Sequence, residues 1–207
     1  GLMLGIGGMV SLSSENRFLG AFLFSLGLFC IVQFKYGLFT GKVGYIVSRD
    51  LPYVAETAVT LVGNALGTLI AALLLRQVRF FTSTVSTMDV TISDRVQATV
   101  DGKIHDNPLS IFILAIFCGI LMFTAVEGSR KCKEEKNFAG SLFVVVMPVM
   151  VFIICGFNHC IADMFYYFFA GCPEPSKAIV YFILAIAGNS VGGMIVPLLK
   201  KLSNQPL

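Results

Sequence analysis

The stretch GFNHCIADMF, Gly156 to Phe165, sets Asn158, His159 and Asp163 inside one of the most apolar parts of the chain. An imidazole titrates near neutral pH and can donate or accept at either nitrogen, which suits it to hydrogen bonding or proton exchange with a passing group. An ionisable side chain inside a bilayer is expensive, so His159 is the first functional candidate. Two other chemistries fit the same residues. His159 and Asp163 are four apart, which on a helix puts both on one face as the acid/base pair of a membrane enzyme, although no third catalytic partner accompanies them. Cys155 and Cys160 flank His159, but one histidine with two thiols is an incomplete ligand set, and neither metal nor cofactor is expected. The six cysteines show no paired spacing and read as small apolar packing residues.

The elements that would position this cluster are transmembrane helices. The chain is 56% hydrophobic and 13% charged, with a mean hydropathy of +0.83; a soluble domain carries roughly a quarter charged residues. Its apolar runs suit helices of about 20 residues rather than the short alternating stretches of a barrel. They fall at 1–13, 18–47, 53–76, 109–127, 139–170 and 178–199, which reads as six spans of one transmembrane domain over 1–207. The first run is too short to cross, and the chain opens on Gly1, so its beginning is read as trimmed. The second and fifth are too long for one straight span and read as broken helices.

Charge supplies an orientation. Arg130, Lys131, Lys133 and Lys136 lie between the fourth and fifth spans, and Lys200 and Lys201 follow the sixth. The positive-inside rule puts both segments, and with six spans both termini, in the cytoplasm; Arg76 and Arg79 fall on the outer side and count against it. The net charge of +3 is a property of these loops and comes with no nucleic-acid motif. The polar segment 80–107 reads as short strands or an amphipathic cap at the membrane surface.

The chain also repeats itself. GNALGTLI from Gly63 and GNSVGGMI from Gly188 share Gly, Asn, Gly and Ile at matching positions, 125 residues apart. A three-span repeat has an odd count, so its second copy enters the membrane inverted. The halves are about 1–79 and 109–201, each with its broken helix one span before the repeated motif, at Gly37–Lys42 and Gly156–Cys160. Such breaks are tolerated where freed backbone groups are buried or line a water-filled path, so the two should meet near the midplane. The glycines of both motifs, and Gly5, Gly7 and Gly8, suit close helix contact.

FSLGL (Phe24–Leu28), LFTGK (Leu38–Lys42), CGIL (Cys118–Leu121), GFNHCIADMF and GNSVGG (Gly188–Gly193) together resemble the signature segments of the formate/nitrite transporter family, in the family's order. The resemblance implies an aquaporin-like protomer in a homopentamer, in a bacterial inner membrane, with one pore per protomer for small monovalent anions such as formate, nitrite, hydrosulfide or lactate. It also implies pore constrictions at Phe24, Leu28, Leu38, Val126, Phe152, Ala162 and Asn189, with Thr40 in the first break and His159 between the constrictions. Lys103 resembles a vestibule lysine that attracts anions. Departures from the family pattern are Gly37 and Asn158 where acidic residues are usual, Asp163 and Phe123 where asparagines are usual, and Lys35 where a small residue is common. Phe123 is expected to narrow or close the path, which keeps a non-conducting sensor or scaffold as an alternative.

Apolar rings exclude water, so a bare anion meets a desolvation cost of several kcal/mol. A weak-acid anion can instead accept a proton and cross as the neutral acid. His159 and Thr40 are the expected hydrogen-bond donors, with water or the histidine relaying the proton.

Overall fold

Polar residues at the ends of the apolar runs set where the helices begin. In the computed structural model, which describes residues 1–85 and 89–204, Asn16 accepts from the Phe18 and Leu19 N–H groups and starts α2 (Arg17–Gln33), after α1 (Leu2–Ser13). Asp50 caps α4 (Leu51–Leu75), Asn107 caps α6 (Pro108–Glu134), and Asn137 caps α7 (Phe138–Cys155). Each side-chain oxygen satisfies N–H groups that the first helical turn leaves unpaired. The last helix, α9 (Pro175–Leu202), opens with proline at its first position, where the missing N–H costs nothing.

Both long runs are interrupted. Helix α2 closes at Gln33 with Lys35 in the left-handed region at φ 57°, and the chain resumes as the single turn α3 (Phe39–Lys42) and a 3-10 stretch, Val43–Ser48. Helix α7 closes on Gly156 at φ 71°, a conformation glycine adopts without a Cβ penalty, and α8 (Cys160–Ala170) begins four residues later. Of the six expected spans, four helices are long and apolar enough to cross a membrane alone: α4, α6, α7 and α9. The breaks and caps cut the other runs into the shorter α1, α2 and α8.

The segment read at 80–107 holds both short strands and an amphipathic helix. Two-residue strands β1 (Thr84–Val85) and β2 (Val90–Thr91) pair antiparallel, residues 86–88 lie outside the described residues, and α5 (Ile92–Ile104) follows. Its capping box is reciprocal: Thr91 accepts from the Asp94 N–H, and Asp94 accepts from the Thr91 N–H and hydroxyl, which holds the Asp94 carboxyl below the usual carboxylate range. Ile92, Val96, Val100 and Ile104 recur every four residues and are buried against the rest of the protomer.

Helices α6 and α9 approach backbone to backbone. A Cβ on Gly192 would lie 1.9 Å from the Ile116 carbonyl oxygen, and one on Gly119 would lie 2.3 Å from that of Asn189. The glycines of α1 are used the same way within the protomer: Gly7 meets the Phe24 backbone, and Gly5 and Gly8 meet the Phe165 ring. Gly63 has nothing within 4 Å, so the two GNxxG motifs are packed unequally.

Candidate functional site

The two breaks meet at one hydrogen bond. Thr40 Oγ1, in α3, lies 3.1 Å from His159 Nε2, both side chains fully buried. His159 is also the N-cap of α8: its Nδ1 accepts from the Ala162 N–H at 3.1 Å. The hydrogen-bond network assigns the tautomer, because a nitrogen that accepts carries no proton. The neutral ring therefore holds its proton on Nε2 and donates it to Thr40 Oγ1. Thr40 makes no other side-chain hydrogen bond among the described residues, so its hydroxyl proton remains available to a further acceptor.

An aromatic stack adjoins this pair. The Phe152 ring is 5.5 Å from the imidazole, and the Phe24 ring meets Phe152 edge-on at 5.7 Å. Phe24, Leu28 and Phe152 are buried. On the other flank an open funnel of about 920 Å³ has Leu38, Gly41 and Val126 in its wall, which brings it to the residue beside Thr40. Arg130 and Lys133, near the end of α6, line the funnel together with Lys35, Lys42 and Arg49.

The two breaks are held by the same device. Asn64 accepts from the Phe39 N–H at 2.9 Å and donates to the Gly37 carbonyl at 2.9 Å. Asn189 accepts from the Cys160 N–H at 2.9 Å and donates at 2.8 Å to the carbonyls of Asn158 and Ala115. Each amide thus pairs the first N–H after its break with a carbonyl just before it. No buried side-chain nitrogen or oxygen lacks a partner among the described residues.

Beyond His159 a second polar cluster ties α5 to α8 and α9. Lys103 Nζ donates to Asn158 Oδ1 at 2.8 Å and pairs with Asp163 Oδ1 at 3.2 Å. Tyr181 donates to Asp163 Oδ2 at 2.6 Å. Lys103 is thus anchored in a small crevice, with its side chain only 20% exposed. One expectation changes here. The Asp163 carboxylate bonds to Lys103 and Tyr181 and makes no bond to the imidazole, because His159 precedes the helix as its cap, so the two form no acid/base dyad. Phe123 is fully buried, packed against Tyr45 and Gly44, and does not line the funnel.

The structure thus brings together His159, Thr40, Phe152, Phe24 and Ala162, with Leu38 and Val126 at the funnel and Leu28 in the adjoining core. Asn189 and Asn158 lie one hydrogen bond further out, Lys103 joins from α5, and Lys35 stands in the funnel wall. Sequence reasoning passed over the Asn64 clamp on Phe39 and Gly37 and the Tyr181–Asp163 bond. The first was signalled by the repeated GNxxG; nothing in the spacing pointed to the second.

Known proteins resemble this chain over most of its length. The profile of the formate/nitrite transporter family matches residues 1–201. The formate channel FocA of Haemophilus influenzae is 28% identical over 152 residues, covering 72% of this chain and 52% of that protein. The chain spans about half the length of that relative. The uncharacterized transporter YrhG of Bacillus subtilis is 30% identical over 193 residues, 88% of this chain and 69% of that protein. Among solved structures, a pentameric formate channel with formate bound superposes with a TM-score of 0.78 at 23% identity, over 98% of this chain and 92% of that one.

Proposed function

The chain belongs to the formate/nitrite transporter family, and on that premise we propose that it forms a transmembrane channel for small monovalent weak-acid anions, with formate and nitrite as the first candidates. The observation that carries the reading is the Thr40–His159 hydrogen bond at the meeting of two helix breaks, between a cation-lined funnel and apolar rings. Cations in the funnel raise the local anion concentration. At the junction His159 donates Nε2–H to Thr40 Oγ1, and the Thr40 hydroxyl donates its own proton to the anion, a chain in which each bond strengthens the next. Past that point Phe152, Phe24 and Leu28 offer no polar partner, and a carboxylate would lose most of its hydration. A proton from solvent converts the anion to the neutral acid, which crosses the rings and releases the proton on the far side. The ring need not give up its own proton; it orients the hydroxyl and holds the anion where protonation occurs.

In this reading Leu38, Val126 and Ala162 narrow the path on the funnel side, and Asn189 supports the narrow zone through the backbone at Asn158 and Cys160. The halves are inverted copies in an aquaporin-like arrangement, supported by the matching Asn64 and Asn189 clamps. Both termini face the cytoplasm of a bacterial inner membrane, and five copies assemble.

The test is uptake of formate and nitrite into proteoliposomes across a range of external pH. Parent flux rises as pH falls toward the acid's own pKa. His159→Phe keeps an aromatic ring but removes the donor that orients the Thr40 hydroxyl, and is expected to lower flux about tenfold at every pH, with the profile still set by the acid's own pKa. Thr40→Val slows flux at every pH, and Thr40→Ser restores it. Unchanged flux in the His159→Phe protein would make the histidine structural and end this mechanism.

A further inference from the structure

The funnel carries more positive charge than its own carboxylates balance. Lys42 is paired with Glu56, and Arg130 with Glu127 and Glu134. Lys35, Arg49 and Lys133, also in the funnel wall, have no carboxylate partner among the described residues. Arg49 lies against the Tyr53 ring, 5.8 Å from its centroid, and Lys133 Nζ donates to the Val32 carbonyl at the end of α2. Like charges gathered on one concave surface repel, and a bound anion relieves that repulsion.

The backbone at Lys35 fixes where its side chain stands. Helix α2 ends in a turn closed by the Tyr36 N–H donating to the Ile31 carbonyl at 2.9 Å, and Lys35 occupies its left-handed position at φ 57°, where glycine carries the least strain. At this position the side chain lines the funnel.

The cavity is also much larger than a three- or four-atom anion requires. At about 920 Å³ it lies in the range of roughly 300–1,000 Å³ that accommodates drug-sized ligands. Three unpaired cations, one of them an arginine whose planar fork suits tetrahedral oxyanions, match a multivalent phosphate ligand. Tyr36, Ser48 and Thr60 stand in the same wall with hydroxyl groups. We propose that the funnel is a binding site for a phosphate polyanion, an inorganic diphosphate or a nucleoside triphosphate, and that its occupancy closes this mouth of the path.

Binding can be read without transport. The purified full chain in detergent is titrated calorimetrically with pyrophosphate and with ATP at constant ionic strength. Saturable binding of either is expected, weakened at least tenfold in Lys35→Gly and in Arg49→Gln. Tighter binding of ATP identifies a nucleotide as the ligand, and ATP no tighter than pyrophosphate identifies the phosphates alone; either supports the site. Lys35→Gly relieves the left-handed strain, so its melting temperature rises while its affinity falls, and misfolding is separated from loss of the site. In proteoliposomes, pyrophosphate on the funnel side lowers anion flux and on the opposite side does not. Binding of neither probe, equal affinity in both variants, sulfate competing as well as pyrophosphate, or flux indifferent to a bound probe would overturn the proposal. The calorimetry stands whatever the permeant is, so its failure leaves the transport reading intact, and a chain that conducts nothing would still bind.

Discussion

At the scale of single residues, the site depends on side chains that hold backbone as much as on those that face the path. Asn189 serves three buried backbone groups and Asn64 serves two. Leucine is close to asparagine in size and bonds to none of them, and each group left unpaired costs about 1 kcal/mol or more. Asn189→Leu is therefore expected to destabilise by about 3 kcal/mol and Asn64→Leu by about 2 kcal/mol. Thermal melting in detergent checks the order: Asn189→Leu below Asn64→Leu, and both below the parent. Equal melting of all three would mean that the breaks hold without their clamps. That His159 stands apart from its apolar run was legible from the sequence, because an imidazole inside a bilayer is costly. The clamps were legible only as a repeated motif, because spacing along a helix places a residue on a face without revealing which carbonyl waits across it.

At the scale of elements, cations from distant segments finish several helices. Arg17 donates to the Ile154 carbonyl at the end of α7, Arg76 to Phe169 at the end of α8, and Arg95 to Ser14 just past α1. Positive charge at a helix C-terminus is favourable and satisfies carbonyls the helix leaves unpaired. Arg76, which counted against the charge-derived orientation, thus has a local reason for its place. Helix α5 follows the same logic at higher stakes, since Lys103 reaches Asp163, a carboxylate with only 5% exposure. Lys103→Met leaves that carboxylate without its cation and is expected to cost about 3 kcal/mol. Lys103→Met combined with Asp163→Asn removes the charge as well as its partner and should recover most of the loss. Melting curves of the parent, the single and the double variant test this, and a double variant no better than the single would show that the ion pair is not what fixes α5. The sequence between 80 and 107 was ambiguous because threonine and valine favour strands while the four-residue apolar spacing favours a helix. Both forms are present: two short strands pair ahead of Thr91, and the Thr91–Asp94 capping box and burial against α8 decide for a helix over Ile92–Ile104. Both helix breaks, by contrast, were legible, since glycine and polar residues interrupt runs too long for one span.

At the scale of the whole molecule, funnel, junction and rings all lie within one chain, so a pathway through them requires no neighbour. The glycines of α1, which suit close contact between helices, are already spent inside the protomer. In a bilayer the outward apolar faces of the helices gain little by leaving lipid, so assembly rests on packing rather than on burial. In the proposed homopentamer each unit is therefore an independent channel rather than part of one shared pore. Native mass spectrometry in mild detergent is expected to show five copies, and monomers or a stable trimer would count against the assembly. Independence gives the sharper test. When parent and His159→Phe chains are mixed before assembly and reconstituted, anion flux should fall in direct proportion to the fraction of variant chains, because each protomer carries its own Thr40–His159 pair. A steep, cooperative loss, in which one variant subunit silences its neighbours, would place the pathway or its gate between protomers and contradict a pore contained in each.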